Sequence, residues 1–386
     1  MSQLRSHRNF GTIPRASGAA AAALKARAAA WEVPLVETPE ALSMFVWGCE
    51  VRLVPGGDDL RVELSAPEKR LIGSLQDSAT ELFAEAGLEV AWDRVDAGAL
   101  APGLSLMRVR SVTRRSPGFI RVRIAGPDAA RFGMGSLHFR LLLPPRGRAA
   151  VWPRIGASGR TEWPEGPDAL HRPVYTVAAQ AEDWVDFDIF RHAGSPTCDW
   201  AEAARPGDTV GVIGPGGGWC PEAPRLWLFG DETALPAIAR MLDLARGQVS
   251  AHVRADLRDL GPLAADPRVT PCDDLLAALA EARLEQGSHV WFAGEAGQAR
   301  LALGRGVVLR LGRDALGADG DAVDGDGGQQ GFHVHHRHSA AWRSGSCCVP
   351  ASRVATVRAC ASRPATVAGI GFSPTPGRAP RFERTI

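Results

Sequence analysis

Asp231, Glu232, Thr233 and Ala234 follow Gly230 at the end of the apolar run 226–229, and Leu235, Ile238, Ala239 and Leu242 then recur at spacings of three and four. A short apolar run reads as a buried strand, and that spacing reads as one face of a helix. Thr233 is the expected N-cap, and Pro236 suits an early helical turn. A strand that feeds a helix start offers free amides at a sheet edge, where α/β folds bind nucleotides. Three further pieces lie upstream. HRPVYTV (171–177) holds Arg172, Thr176 and Tyr175, the only tyrosine in the chain. In 184–201, Val185, Phe187 and Ile189 alternate with Asp186 and Asp188, His192 follows on the polar face, and Ser195, Pro196 and Thr197 precede a second helix. GDTVGVIGPGGG (207–218) reads as a strand ending in a glycine linker, without the spacing of a dinucleotide fingerprint.

The elements that must position these residues change character along the 386-residue chain. Residues 24–105 read as a small α/β unit, with two alternating strands around Gly56-Gly57-Asp58 and a helix ending near Gly87. Residues 106–222 contain many short strands separated by turns, the pattern of a small antiparallel β-barrel. From 223 to 303 strands alternate with helices, as in a doubly wound parallel sheet. Residues 304–386 lose both periods, so this stretch is expected to be a disordered extension or the product of a frame shift. FHVHHRH (332–338) lies within it and suggests only adventitious metal affinity, so no metal site is assigned.

Composition narrows the function classes. A formal net charge of +1 gives no general attraction to nucleic acid or to a membrane surface. The seven cysteines are scattered and odd in number, and they read as free thiols in a reducing compartment. The alanine-rich start is too weakly apolar for a secretory signal, and no apolar run reaches the ~20 residues that span a bilayer. A cytoplasmic protein without stable membrane insertion is the expectation.

Taken in order, Tyr175-Thr176, Asp188 with His192, the Ser195-Pro196 turn before a tryptophan-bearing helix, and GDETALPAI resemble the siderophore-interacting proteins. These are FAD-containing ferric-siderophore reductases of the ferredoxin-reductase-like superfamily. The similarity spans roughly residues 106–300. It implies that 106–222 binds FAD and that 223–303 receives NADPH or NADH, with a ferric siderophore as the final electron acceptor. Tyr175 would then wall the flavin ring and Thr176 would meet its edge. Arg172 stands three residues before the tyrosine, where the family has two, so it shares that role only if the strand bulges. His192 would approach the ribityl or phosphate region beside Asp188, with Ser195 and Thr197 at a pyrophosphate-binding helix start. Asp231, Glu232, Thr233, Ala234, Gly294 and Glu295 would face the nicotinamide. No residue is singled out as an acid–base catalyst, because the cofactors carry the chemistry. The alternatives are a flavin reductase with another acceptor and an inactive siderophore- or flavin-binding protein. The segment 24–105 resembles an accessory domain that precedes some members of the family.

Overall fold

The computed structural model describes residues 5–302, except 16, 32, 134–135, 286–287, 296 and 300, together with 330–335 and 352–361. It opens with β1 (His7–Pro14), α1 (Ser17–Trp31), β2 (Leu35–Glu37), β3 (Leu42–Val46), β4 (Cys49–Gly56), β5 (Asp59–Ala66), α2 (Lys69–Glu85) and β6 (Ala91–Trp92). The strands form one six-stranded sheet in the order β2-β3-β4-β5-β1-β6. Gly56 pairs with Asp59, so the expected hairpin turns at Gly57 and Asp58, and Gly57 takes the left-handed φ of 73° that this turn requires. Strand β1 precedes the unit read from sequence and pairs with β5 along its whole length. The alanine run is helix α1, which buries Ala20, Leu24 and Ala28 at fourfold spacing. Leu60, Val62, Leu64 and Ala66 of β5 share a core with Leu75, Ala79, Leu82 and Phe83 of α2.

The middle of the chain contains β7 (Leu104–Ser116), β8 (Phe119–Ala125), β9 (Ser136–Leu142), β10 (Arg154–Ile155), β11 (Thr161–Glu162), β12 (Val174–Thr176), β13 (Ala179–Gln180), β14 (Trp184–Phe190), α3 (Pro196–Ala203) and β15 (Thr209–Trp219). The short strands expected over this stretch form an antiparallel sheet ordered β12-β9-β15-β7-β8-β14-β13. The glycine run 214–218 belongs to β15 and is not a separate linker.

Strand–helix alternation follows in β16 (Arg225–Asp231), α4 (Leu235–Leu244), β17 (Gln248–Arg254), β18 (Val269–Pro271), α5 (Leu275–Glu281) and β19 (Ser288–Glu295). These four strands are parallel and ordered β18-β17-β16-β19. The chain winds outward from β16 through β17 to β18, then crosses back to β19 on the other side. That reversal makes the β16–β19 boundary a topological switch point. Most of the tail assigned to 304–386 lies outside the described residues, including any metal contact by 336–338. The parts described are β20 (Gln330–His335) and β21 (Ser352–Ala361), which extend the sheet beyond β19, β21 antiparallel to β19 and β20 antiparallel to β21.

Packing divides the described residues into two compact units. One draws on 1–108, 140–174 and 208–214, and the other on 109–139, 175–207 and 215–386. In the first, the β10–β11 hairpin docks on α2, where the Thr161 amide donates to Asp77 Oδ1 at 2.6 Å and Arg160 pairs with Glu81 at 3.4 Å. In the second, the parallel sheet has cores on its two faces. One centres on Leu228, Ile238 and Met241, the other on Phe229, Leu275 and Phe292. Among the described residues, Cys49, Cys198, Cys220 and Cys272 are free thiols, and no helix is long and apolar enough to cross a membrane.

Asp77 yields a test of the first unit. Burial raises its pKa, against the opposing hydrogen bonds from Thr161 and the Arg160 charge. An acid with a raised folded pKa stabilises the fold below its unfolded value near 4, and that contribution is lost as pH rises through the folded value. Asp77→Asn keeps an acceptor for the Thr161 amide and removes the ionisation. The variant should therefore be more stable than wild type at pH 7 and approach it below about pH 4, as read by urea unfolding across pH.

Candidate functional site

The polar residues singled out in the sequence, Arg172 excepted, lie in the second unit. Its antiparallel part is organised by the register of β8 against β14, which sets Arg121 opposite Asp188 and Arg123 opposite Asp186. Both pairs are bidentate. Arg121 donates to Asp188 through Nε at 2.7 Å and Nη2 at 2.8 Å, and Arg123 makes the same contacts to Asp186. The aspartate side chains are each only 3% exposed. A third guanidinium, that of Arg115, lies 3.4 Å from Asp188. The hydrogen bonds to Asp188 push the Arg121 pKa further up, against the opposing effect of burial. Asp188 is therefore consumed in holding strands together.

On the opposite face of β14, Phe187 backs the half-buried Tyr175 ring at 5.1 Å. Burial pushes the Tyr175 hydroxyl up to about 12, while its hydrogen bond with the Thr197 side chain pulls the other way. Strand β12 and the start of α3 thus meet at Tyr175 and Thr197. Thr176 is buried, and its Oγ1 lies 3.0 Å from Nδ1 of His138 on β9. Burial first, and then the Arg240 charge, lower the His138 pKa to about 4, so the imidazole is neutral at physiological pH. Which partner donates in this pair depends on the His138 tautomer.

The start of α3 differs from the expectation in detail. Ser195 is its N-cap, accepting from the Cys198 amide at 3.2 Å, and Pro196 has no amide to give. Gly194 precedes the cap at φ 76°. His192 lies past the end of β14, exposed and 6.5 Å from the Phe190 ring, and so does not share a strand face with Asp188. Arg172 belongs to the first unit. Its guanidinium stacks over Trp163 at 4.6 Å, and its carbonyl accepts from Arg140 Nη1 at 3.2 Å.

At the carboxyl end of β16, Gly230 lets the chain turn into α4. A Cβ there would lie 2.6 Å from Ala234 Cβ and 2.7 Å from Ile238 Cδ1. The cap of the following 3-10 turn is Asp231 and not Thr233. Its Oδ1 accepts from the Thr233 amide at 3.0 Å and from the Thr233 hydroxyl at 2.6 Å. Asp231 is buried, Glu232 is half-buried and Thr233 is exposed. Arg254, at the end of β17, lies 4.0 Å from Asp231 Oδ2 and donates to Gln298 Oε1 at 3.2 Å. Gly294, near the end of β19, faces both. A Cβ on it would stand 3.5 Å from Asp231 Oδ2 and from Gln298 Oε1. Asp231, Arg254, Gly294 and Gln298 therefore converge at the switch point, with Glu295 exposed one residue beyond.

This donor set suits a flavin nucleotide and a second nucleotide. An aromatic face with a second ring behind it, threonine hydroxyls and a capped helix start are groups that a flavin nucleotide engages. Arg121 uses Nε and Nη2 for Asp188, which leaves Nη1 outside that pair. A carboxyl-end crevice at a switch point is where open α/β sheets bind nucleotides. Several residues here were not singled out in the sequence. Arg115, Arg121, His138 and Arg240 act through partners far along the chain, and an isolated arginine or histidine carries no periodic signal. Among the described residues, no group of three or more His, Cys, Asp or Glu is arranged to hold a metal.

The model of the siderophore-interacting FAD-binding domain matches residues 108–219. An NADPH-dependent ferric-chelate reductase of Escherichia coli K12 is 31% identical over 193 residues, which cover 47% of this chain and 70% of that protein. The ferric vibriobactin reductase ViuB of Vibrio cholerae is 30% identical over 156 residues, covering 38% of this chain and 55% of ViuB, so the chain spans about half the length of that relative. Among solved structures, a siderophore utilization protein from T. fusca aligns with a TM-score of 0.44 at 28% identity, over 55% of this chain and 90% of that one.

Arg121→Ala leaves Asp188 buried with Arg115 as its one remaining close cation among the described residues. It should lower the unfolding free energy by about 3 kcal/mol, measured by denaturant titration. A second expectation concerns His138. Because its folded pKa is depressed, its stabilising contribution is complete above about pH 6.5 and falls away as pH drops toward about 4. An NMR titration of the ring should show it neutral down to that value.

Proposed function

The chain belongs to the siderophore-interacting protein family, and on that premise we propose that it is a flavoenzyme that reduces ferric siderophores at the expense of NADPH or NADH. The observation that carries this reading is the match to the siderophore-interacting FAD-binding domain over 108–219, which contains Tyr175, Thr176, His192, Ser195 and Thr197. The division proposed from the sequence goes with it: an accessory segment at 24–105, a flavin segment at 106–222 and a nicotinamide segment at 223–303. FAD held by these residues would supply hydride acceptance from the nicotinamide and one-electron delivery to two chelated Fe(III) in turn. Iron then leaves because Fe(II) binds less tightly to hard oxygen donors. In the cytoplasm, where we place the reaction, this would release the metal for use.

The chain's own residues bind and orient. Tyr175, stiffened by Phe187 and Thr197, provides a ring to stack against the flavin. Thr176 is held by a neutral imidazole, so its hydroxyl keeps one orientation toward the flavin edge. Ser195 shapes the start of α3 for the pyrophosphate, with Gly194 allowing close approach and His192 reaching it from solvent. Asp231 shapes the turn through its two bonds to Thr233, so that Glu232, Thr233 and Ala234 present their edge to the nicotinamide opposite Gly294 and Glu295. Arginines must supply the attraction for an anionic ferric chelate, because the chain has no lysine beyond Lys69.

Purified protein should carry yellow FAD that NADPH or NADH bleaches under anaerobic conditions. Adding a ferric siderophore should then restore the colour and release Fe(II) to a ferrous-trapping dye. Bleaching with no response to ferric siderophores would indicate a flavin reductase with another acceptor, and a protein that never bleaches would indicate a binder. Tyr175→Ala should lower FAD occupancy or shift the flavin spectrum, and an unchanged, fully loaded variant would reject its assignment. Thr233→Trp should retain FAD while slowing its reduction by NAD(P)H about tenfold or more, measured by stopped-flow absorbance.

A further inference from the structure

Arg240 lies midway along α4, the helix that the 231–234 turn opens. Its guanidinium turns away from its own sheet and donates to three main-chain carbonyls. Nη1 reaches Val177 at 3.2 Å, and Nη2 reaches Phe132 at 3.0 Å and Ser136 at 2.8 Å. Val177 directly follows Thr176, and Ser136 lies two residues before His138 on β9. The Val177 amide in turn donates to the Leu137 carbonyl at 3.0 Å. Arg240 thus grips both strands that carry the Thr176–His138 pair. Its acceptors are carbonyl dipoles, and among the described residues no carboxylate lies within ion-pair distance. A guanidinium has the planar fork to serve three acceptors, which an ammonium on a flexible stem lacks.

The start of α4 is equally fixed. Ala234, Leu235 and Ile238 are buried against the parallel sheet, and Gly230 brings the turn close beneath them. The helix is a short rod, with the nucleotide-side turn at its start and this three-way anchor midway along it. We propose that Arg240 is a positioning residue for hydride transfer, tying the Tyr175-Thr176 strand to α4 so that the flavin-facing and nicotinamide-facing elements keep one spacing. The proposal rests on the flavin and nicotinamide reading above. Hydride transfer depends steeply on donor–acceptor geometry, and a misplacement of about 1 Å costs on the order of a hundredfold in rate.

The test compares full-length, FAD-loaded wild type with Arg240→Met and Arg240→Lys. Anaerobic reduction of the bound flavin is followed over a range of NADPH and NADH concentrations. Both variants should retain FAD and show a reduction rate at saturating nucleotide at least about tenfold lower. The half-saturating nucleotide concentration should change less than about threefold, a split that general destabilisation would not produce. The charge-transfer absorbance between flavin and nicotinamide should weaken in parallel. In flavin-free protein, the His138 ring of Arg240→Met should titrate closer to an ordinary histidine, since the anchor and its charge are both gone. If Arg240→Met does not fold, Arg240→Lys decides, because it keeps the charge and loses the fork. A folded variant that reduces at a rate within about twofold of wild type overturns the proposal. Failure of wild type to be reduced by either nucleotide would overturn the functional reading instead, and this inference with it.

Discussion

Asp188 is a carboxylate taken out of water in the middle of a strand whose two faces are both covered. A buried charge is tolerated only when it is paired and hydrogen-bonded, and Arg121 and Arg115 meet that requirement together. Much of the second unit follows from the constraint. A slip of one residue in β14 would exchange Asp188 for an apolar neighbour and point Phe187 away from Tyr175. The neighbouring Asp186–Arg123 pair enforces the same register, and Arg123 also lies over the Trp184 ring at 3.7 Å. Arg115 extends the network into the nucleotide half, where it donates to the Asp259 carbonyl, and Asp259 Oδ1 accepts from the Gly118 amide at 2.8 Å. A charge pair in one strand ladder thereby ties β8 and β14 to the segment that follows β17.

The nucleotide half is built to different rules. Strands β16 and β19 are buried on both faces over most of their length and read as apolar runs, whereas β17 alternates, with Ser250 and His252 half-buried on one face. The polar groups gather at the carboxyl ends, where the sheet reverses its winding. Asp231 caps the turn, Arg254 approaches from the adjacent strand end, and Gly294 leaves room between them. These groups shape a crevice and contribute little to core packing. Such an arrangement suits an enzyme whose cofactors do the redox chemistry and whose protein supplies orientation.

Period-2 alternation in 184–190, the apolar run before Gly230 and the helical spacing after it are local facts, and each produced the element expected. The order of those elements carried the family resemblance. Local chemistry misled where two residues competed for one task. Asp231 and Thr233 are both good caps, and the carboxylate wins because it can serve the amide and the hydroxyl together. The first strand was missed because HRNFGTIP interrupts its apolar pattern with glycine and charge. Its pairing with β5 supplies what the pattern lacks.

The sequence by itself determined the main strands and helices between 104 and 295 and their order, because backbone periodicity and turn chemistry act over a few residues, and that order carried the resemblance that implies a flavin site. Tertiary structure alone decided which polar side chains remain for a ligand. Asp188 is claimed by a partner 67 residues away, and Thr176 is oriented by one 38 away. Arg240 reaches carbonyls up to 108 positions distant. Arg172 stacks on Trp163 in the first unit, while Tyr175, three residues on, packs in the second. A charged or hydroxyl group takes whichever partner folding brings within about 3 Å, and that proximity is set by long-range packing and not by neighbouring residues.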